Sequence, residues 1–251
     1  MTKHKRRRTE TLHLAAASKG DGMNVSQFLE SGIFVDSDAP QIIAFAKDAT
    51  QGARDADAAI LELYAAVRDG IIYDPYVSLS DPENFRASSV LAFGRGFCIG
   101  KSALLAAAAR AIGVPARVGY ADVRNHLTSR RLYEMAKTDT FIWHSYTELY
   151  LAGRWVKATP AFDATLCERA NIKPLDFDGR TDSLFQPFDA AGRRHMEYLR
   201  DRGTFADVPF DVIQAEFFAA YPTWMSNQGL AGDFRSEAVA EALDERSAEK
   251  A

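Results

Sequence analysis

The chain has 251 residues, 47% hydrophobic and 25% charged, enough apolar content for one large domain or a domain with an elaborated end. Its net charge of −4 shows no global basic bias, which argues against nucleic acid as the main partner. The two cysteines, Cys98 and Cys167, sit in unlike contexts and read as a reduced, cytoplasmic protein rather than a disulfide scaffold.

The basic run Lys3-His4-Lys5-Arg6-Arg7-Arg8 reads as a solvated tail. The competing reading, an electrostatic tether to nucleic acid, predicts strongly salt-dependent binding that deletion of the run abolishes. The apolar run Leu12 to Ala17 is interrupted by His13 and falls short of the roughly 7–15 residues of a secretory signal. No later stretch approaches the ~18 apolar residues of a membrane span, so no membrane partner is expected. Residues 1–24 are expected to be a disordered tail, with Met23 an alternative start.

From Val25 to Asp36 the sequence reads as extended, ending in a turn at Asp36-Ser37-Asp38-Ala39-Pro40 that can cap a helix. Helices are expected from Ile42 to about Thr50 and from Asp55 to Asp69, the second with Ile60, Leu63, Tyr64 and Val67 on one face and Gly70 at its end. Ile71 to Pro75 reads as a short extended exit, and Ala87 to Phe93 as a brief helix. Next comes an alanine-rich helix starting at Cys98, ended by Gly113 and kept from resuming by Pro115. Its small residues allow close approach and suit a central position.

The period then changes from helical to two. Strands are expected over Arg117 to Val123, Phe141 to Leu151 and Arg154 to Thr159, with Ala152-Gly153 a tight turn between the last two. Helices first and antiparallel strands afterwards define an α+β fold. The expected division is a core over residues 25–164, a loop-rich elaboration over 165–225 packed on it, and a polar tail over 226–251 with a helix from about Ser236 to Lys250. Aromatic residues of the elaboration such as Phe177, Phe185 and Phe188 would either line a cleft or form its core.

Cys98 carries the chemistry. The first turn of a helix presents unpaired N–H groups and the positive end of the dipole, which lower a thiol pKa and can hold a developing oxyanion. A buried packing cysteine is the alternative. Lys101, one turn on, either favours the thiolate or is a solvated surface lysine, and Cys167 reads as structural.

A thiol nucleophile needs a base and the base an orienting group. Of the five histidines, His4 and His13 lie in the tail, His126 follows the first strand in a loop, and His195 sits in a charged stretch that reads as solvated. His144 lies inside a strand, sharing a face with Ile142, Tyr146, Glu148 and Tyr150. A two-residue turn pairs Leu151 with Arg154 and Tyr146 with Thr159. Extending that register sets His144 opposite Ala161, with Thr159 and Asp163 as diagonal neighbours. The spacing of cysteines and histidines matches no metal motif, no acidic loop of the calcium-binding kind occurs, and no glycine loop for phosphate is present, so no cofactor is expected.

The segments GRGFCIGKSALLAAAARAIGVPARVGY and WHSYTELYLAGRWVKATPAFD, in that order, resemble the transglutaminase-like superfamily on its papain-like core, over roughly residues 28 to 163. The resemblance implies Cys98 as nucleophile and His144 as general acid/base. Two positions depart from the family pattern: Tyr146 stands where a tryptophan is usual, and Thr159 stands where the third catalytic aspartate is usual, with Asp163 four residues later. The third role falls on Asp163 or Thr159, with Asp163 preferred because a carboxylate both fixes the imidazole tautomer and stabilises its cation.

The expected activity is acyl transfer on amide or isopeptide bonds through a cysteinyl thioester, hydrolysis rather than cross-linking, on a peptide, protein or small amide substrate. The alternative is a non-catalytic protein- or peptide-binding module that keeps the fold.

Overall fold

Alanine dominates the segment after Cys98, and in a computed structural model of the chain, which describes residues 24–126, 128–184, 195–226 and 232–248, that segment is the buried axis of the molecule. A 3-10 turn over Val25–Leu29 leads to α1 (Pro40–Ala49), α2 (Ala56–Gly70), β1 (Ile72–Tyr73), a second 3-10 turn (Pro82–Asn84), α3 (Ala87–Phe93), β2 (Arg95–Gly96) and α4 (Cys98–Ala111). There follow β3 (Ala116–Asn125), α5 (Arg130–Ala136), β4 (Thr140–Leu151), β5 (Arg154–Ala158), α6 (Ala164–Arg169), β6 (Met196–Phe205), α7 (Phe210–Ala220), α8 (Pro222–Ser226) and α9 (Phe234–Ala248). The fold is α+β, as the pattern of periods implies.

Every residue from Cys98 to Arg110 is buried, because α1, α2 and α3 pack on one side of α4 and the main sheet on the other. Small side chains permit this. A Cβ on Gly100 would lie 2.5 Å from the Asn84 carbonyl oxygen, so only glycine fits that approach. At the far end Gly113 takes φ +85° and ends the helix. Arg110 ties that end down, donating to the carbonyl oxygens of Ala116 at 2.8 and 2.9 Å and Glu30 at 2.6 Å. These bonds satisfy carbonyls that no regular element pairs.

The main sheet has the order β5-β4-β3-β6, antiparallel throughout, and β1 pairs with β2 in a separate two-residue parallel ladder. Ala152 and Gly153 both take positive φ, 48° and 83°, the geometry that matches the twist of a two-residue hairpin. Leu151 faces Arg154 as the turn requires, but the ladder stops at Thr147 and Ala158. Beyond it Thr159 donates its N–H to the Ser183 carbonyl at 2.9 Å, so the extended register toward Ala161 and Asp163 does not form.

Val25 to Leu29 is a 3-10 turn, not extended chain: the Asn24 carboxamide oxygen accepts the Ser26 N–H at 3.2 Å, and Phe28 turns inward onto Trp155. The fourth strand comes from the loop-rich region, where β6 pairs with β3. Phe177 is core, buried against Tyr64, whereas Phe185 and Phe188 lie outside the described residues. So does the tail at residues 1–23. The C-terminal helix is docked. Glu237 of α9 accepts from Tyr76 Oη at 2.5 Å and pairs with Arg131 at 2.9 Å, while Phe234 packs on Tyr73. No helix among the described residues is long and apolar enough to cross a membrane.

Candidate active site

Phe97, the N-cap of α4, offers no side-chain oxygen to the first turn, so its N–H groups are left for other acceptors. Cys98 opens that turn and is 8% exposed. The N–H groups of Ser145, Ile99 and Cys98 itself point at its sulfur and favour the thiolate. Burial outweighs them, and the thiol is pushed up to about 11. The expectation of a lowered pKa therefore fails in this setting: desolvation of a buried charge exceeds the help of the helix terminus.

His144 lies next to Ser145 on β4 and lines the same cavity as Cys98. It is also buried, and burial, with the nearby His195 acting in the same direction, pushes its pKa down to about 4. Near neutral pH the cavity is thus lined by a protonated thiol and a neutral imidazole.

The strand does not run smoothly into His144. Trp143 takes φ +58°, an outlier for a bulky residue, and the register slips so that Ala121 faces His144 while Val123 faces Phe141. This bulge breaks the simple alternation that sets Ile142 and His144 on one face. It is braced by side chains of β3, β6 and α7. Asp122 Oδ1 accepts the Trp143 N–H at 3.1 Å and a guanidinium N–H of Arg202, and Glu216 Oε2 accepts from the Trp143 indole at 3.1 Å and from Arg202 at 2.5 Å. The Arg202 guanidinium also stacks 4.7 Å from the indole centroid. Nothing in the local sequence signals this bulge, because its supports come from β3, β6 and α7.

The two candidates for the third position part company. Asp163 is 2% exposed and spends both oxygens away from His144. Oδ1 accepts the Leu166 N–H at 2.9 Å as the N-cap of α6, and Oδ2 pairs with Arg235 at 2.8 Å. Thr159 lines a small second cavity together with His144. Its backbone is fixed, the N–H by Ser183 and the carbonyl by Tyr64 Oη at 3.1 Å, yet its hydroxyl is buried with no hydrogen-bond partner among the described residues.

Lys101 fits neither expectation. It is fully buried, pointing away from Cys98, and its ammonium donates to the carbonyls of Arg68 at 2.8 Å and Ile71 at 2.6 Å, closing the C-terminal end of α2. Burial lowers it to about 7, with the carboxylates of Asp163 and Asp69 opposing. Cys167, fully buried on α6, is pushed up to about 12, chiefly by burial. His195, expected in solvent, is 1% exposed and stacks on Phe162. A charged sequence neighbourhood gave no signal of that burial.

A cavity of about 60 Å³ adjoins Cys98 and His144. Its far wall, Phe217, Tyr221, Trp224 and Phe234, belongs to α7, α9 and the segment between them. Tyr221 Oη locks this wall to the sheet, accepting the Ile142 N–H at 2.6 Å and donating to the Thr140 carbonyl at 3.0 Å. Among the described residues no group of three or more His, Cys, Asp or Glu side chains is arranged to hold a metal.

The solved structure of a protein from Cytophaga hutchinsonii, proposed to be a cysteine protease, is similar to this chain at a TM-score of 0.46 and 18% identity. The similarity covers 74% of this chain and 48% of that one, so the chain spans about half the length of the protein it matches. No curated protein matches the chain. The sequence profile of the transglutaminase-like superfamily matches residues 43–160, a span that takes in the cysteine helix, the histidine strand, the hairpin after it and Thr159. Over that span, just under half of the chain, the protein is similar to the transglutaminase-like superfamily.

Proposed function

We propose that the protein is a cofactor-independent cysteine hydrolase that cleaves amide bonds through a thioester on Cys98. The observation that carries this reading is that Cys98, at the uncapped start of α4, and His144, on β4, line one cavity. Sulfur attacks the carbonyl carbon as His144 takes its proton. The tetrahedral oxyanion is held by the Cys98 N–H. The C–N bond breaks, and the amine leaves with the proton from His144. Water, deprotonated by the same imidazole, then releases the acid and regenerates the thiol.

Thr159 is the better-placed group to orient His144, since the two residues line one small cavity and Asp163 has both oxygens engaged elsewhere. The Thr159 hydroxyl, unpartnered among the described residues, would engage the imidazole only once substrate is bound. A hydroxyl fixes the tautomer without stabilising an imidazolium. That suits an imidazole that burial already keeps neutral.

The test is trapping of the acyl-enzyme. A p-nitrophenyl ester should give a mass adduct on wild type, none on Cys98→Ala, and one formed at least about 100-fold more slowly on His144→Ala. Acylation of wild type no faster than of free glutathione would leave a non-catalytic peptide-binding module, a reading that the raised pKa of the thiol favours.

A further inference from the structure

The cavity beside Cys98 contains information about the acyl group, and this step rests on the acyl-transfer reading above. Phe97 and Ile99 flank the nucleophile in sequence and both line the cavity, so it adjoins the sulfur and can seat the group that remains attached in the thioester. No Asp, Glu, Lys or Arg lines it among the described residues. A charged substituent would lose water there with no side chain of opposite charge to pair with, whereas an apolar one is favoured.

Size narrows the class. A cavity of about 150 Å³ accommodates benzene, and on that scale the roughly 60 Å³ here holds about two to three carbon atoms, not an aromatic ring. The wall does not yield easily. Trp224 is 6% and Tyr221 3% exposed, and Tyr221 Oη is bonded to β4 on both sides of Phe141. This wall lies beyond residues 43–160, so chain outside the span that matches the family profile shapes it.

We propose that this cavity is an acyl pocket for an uncharged aliphatic group of about two to three carbons attached directly to the carbonyl that Cys98 attacks. Trp224 is its specificity-determining wall.

The experiment measures kcat/KM of the full chain on p-nitrophenyl acetate, butyrate, phenylacetate and hemisuccinate, each divided by the rate of that ester with glutathione. Butyrate should exceed acetate, phenylacetate and hemisuccinate by roughly 10-fold or more. Trp224→Ala should raise the phenylacetate-to-butyrate ratio about 10-fold. Should Trp224→Ala not fold, Leu132→Ala, which removes a cavity-lining side chain from α5, must move the ratio the same way. Equal normalised rates, or preference for phenylacetate or hemisuccinate in wild type, would overturn the pocket while leaving acyl transfer intact. Turnover undiminished in Cys98→Ala would overturn the acyl-transfer reading itself.

Discussion

The backbone N–H of Trp143 donates to Asp122 Oδ1 at 3.1 Å, and this contact braces a left-handed residue directly before His144. Such a conformation costs on the order of 1–3 kcal/mol and persists only where its surroundings hold it. Here the support is a buried ion pair of Asp122 with Arg202, shared with Glu216. The position of the proposed base is thus secured by charges that never touch the cavity.

Removing Asp122 should therefore damage both stability and chemistry. Asp122→Ala leaves the Trp143 N–H and Arg202 without their acceptor, and we expect a loss of about 3 kcal/mol in denaturant unfolding. In the folded fraction kcat/KM on the ester should fall by about 100-fold as His144 shifts. Asp122→Asn keeps an acceptor for the Trp143 N–H and should recover most of the kcat/KM but not the stability. Equal kcat/KM in the two variants would rule out the positioning role.

Acid should destabilise the protein through His144. Its pKa is about 4 in the fold against an ordinary 6.5, so between those values the unfolded chain binds a proton that the folded protein does not. The associated stability is fully present above pH 6.5 and is lost as pH falls toward 4, by on the order of 3 kcal/mol. Unfolding of wild type and His144→Gln, compared at pH 7 and pH 4, isolates this contribution. A stability difference independent of pH would mean that the imidazole is not buried neutral.

The same two groups set the pH–rate profile. With His144 near 4 and the Cys98 thiol near 11, the thiol–imidazole pair keeps its protons across the neutral range. On the ester, kcat/KM should be flat from about pH 5 to pH 9, falling only outside it. An inflection between pH 6 and 7 would show an imidazole with ordinary solvation.

Thr159 and Asp163 separate by the sign of their effects. Thr159→Val removes a buried hydroxyl that has no partner among the described residues, so unfolding stability should hold or rise by up to about 1 kcal/mol. Its kcat/KM should drop by about 10- to 100-fold, because the bond from the hydroxyl to the imidazole that would form in the substrate complex is lost. Asp163→Ala loses a helix cap and the Arg235 pair, costing about 2 kcal/mol, with kcat/KM within about threefold of wild type in the folded fraction. The reverse pattern would return the third role to the carboxylate.

Local signals were sufficient for much of the architecture. The small-residue helix from Cys98 to Ala111, its stop at Gly113 and the hairpin at Ala152-Gly153 each follow from periodicity or turn chemistry within a few residues. So does the placement of His144 within a strand. What the sequence by itself determined was the helices up to Ala111 and the strands around the hairpin, and that a thiol and an imidazole stand on two of those elements. β6 and the helices α5 to α8 carried no periodic signal strong enough to read. Only the tertiary structure decided their surroundings. The bulge at Trp143, the burial of Lys101 and His195, the engagement of Asp163 with Arg235 and the aromatic wall around Trp224 all join residues far apart in the chain. Protonation depends on that assembled burial: the helix terminus alone would lower the Cys98 pKa, and desolvation by the packed neighbours reverses the sign.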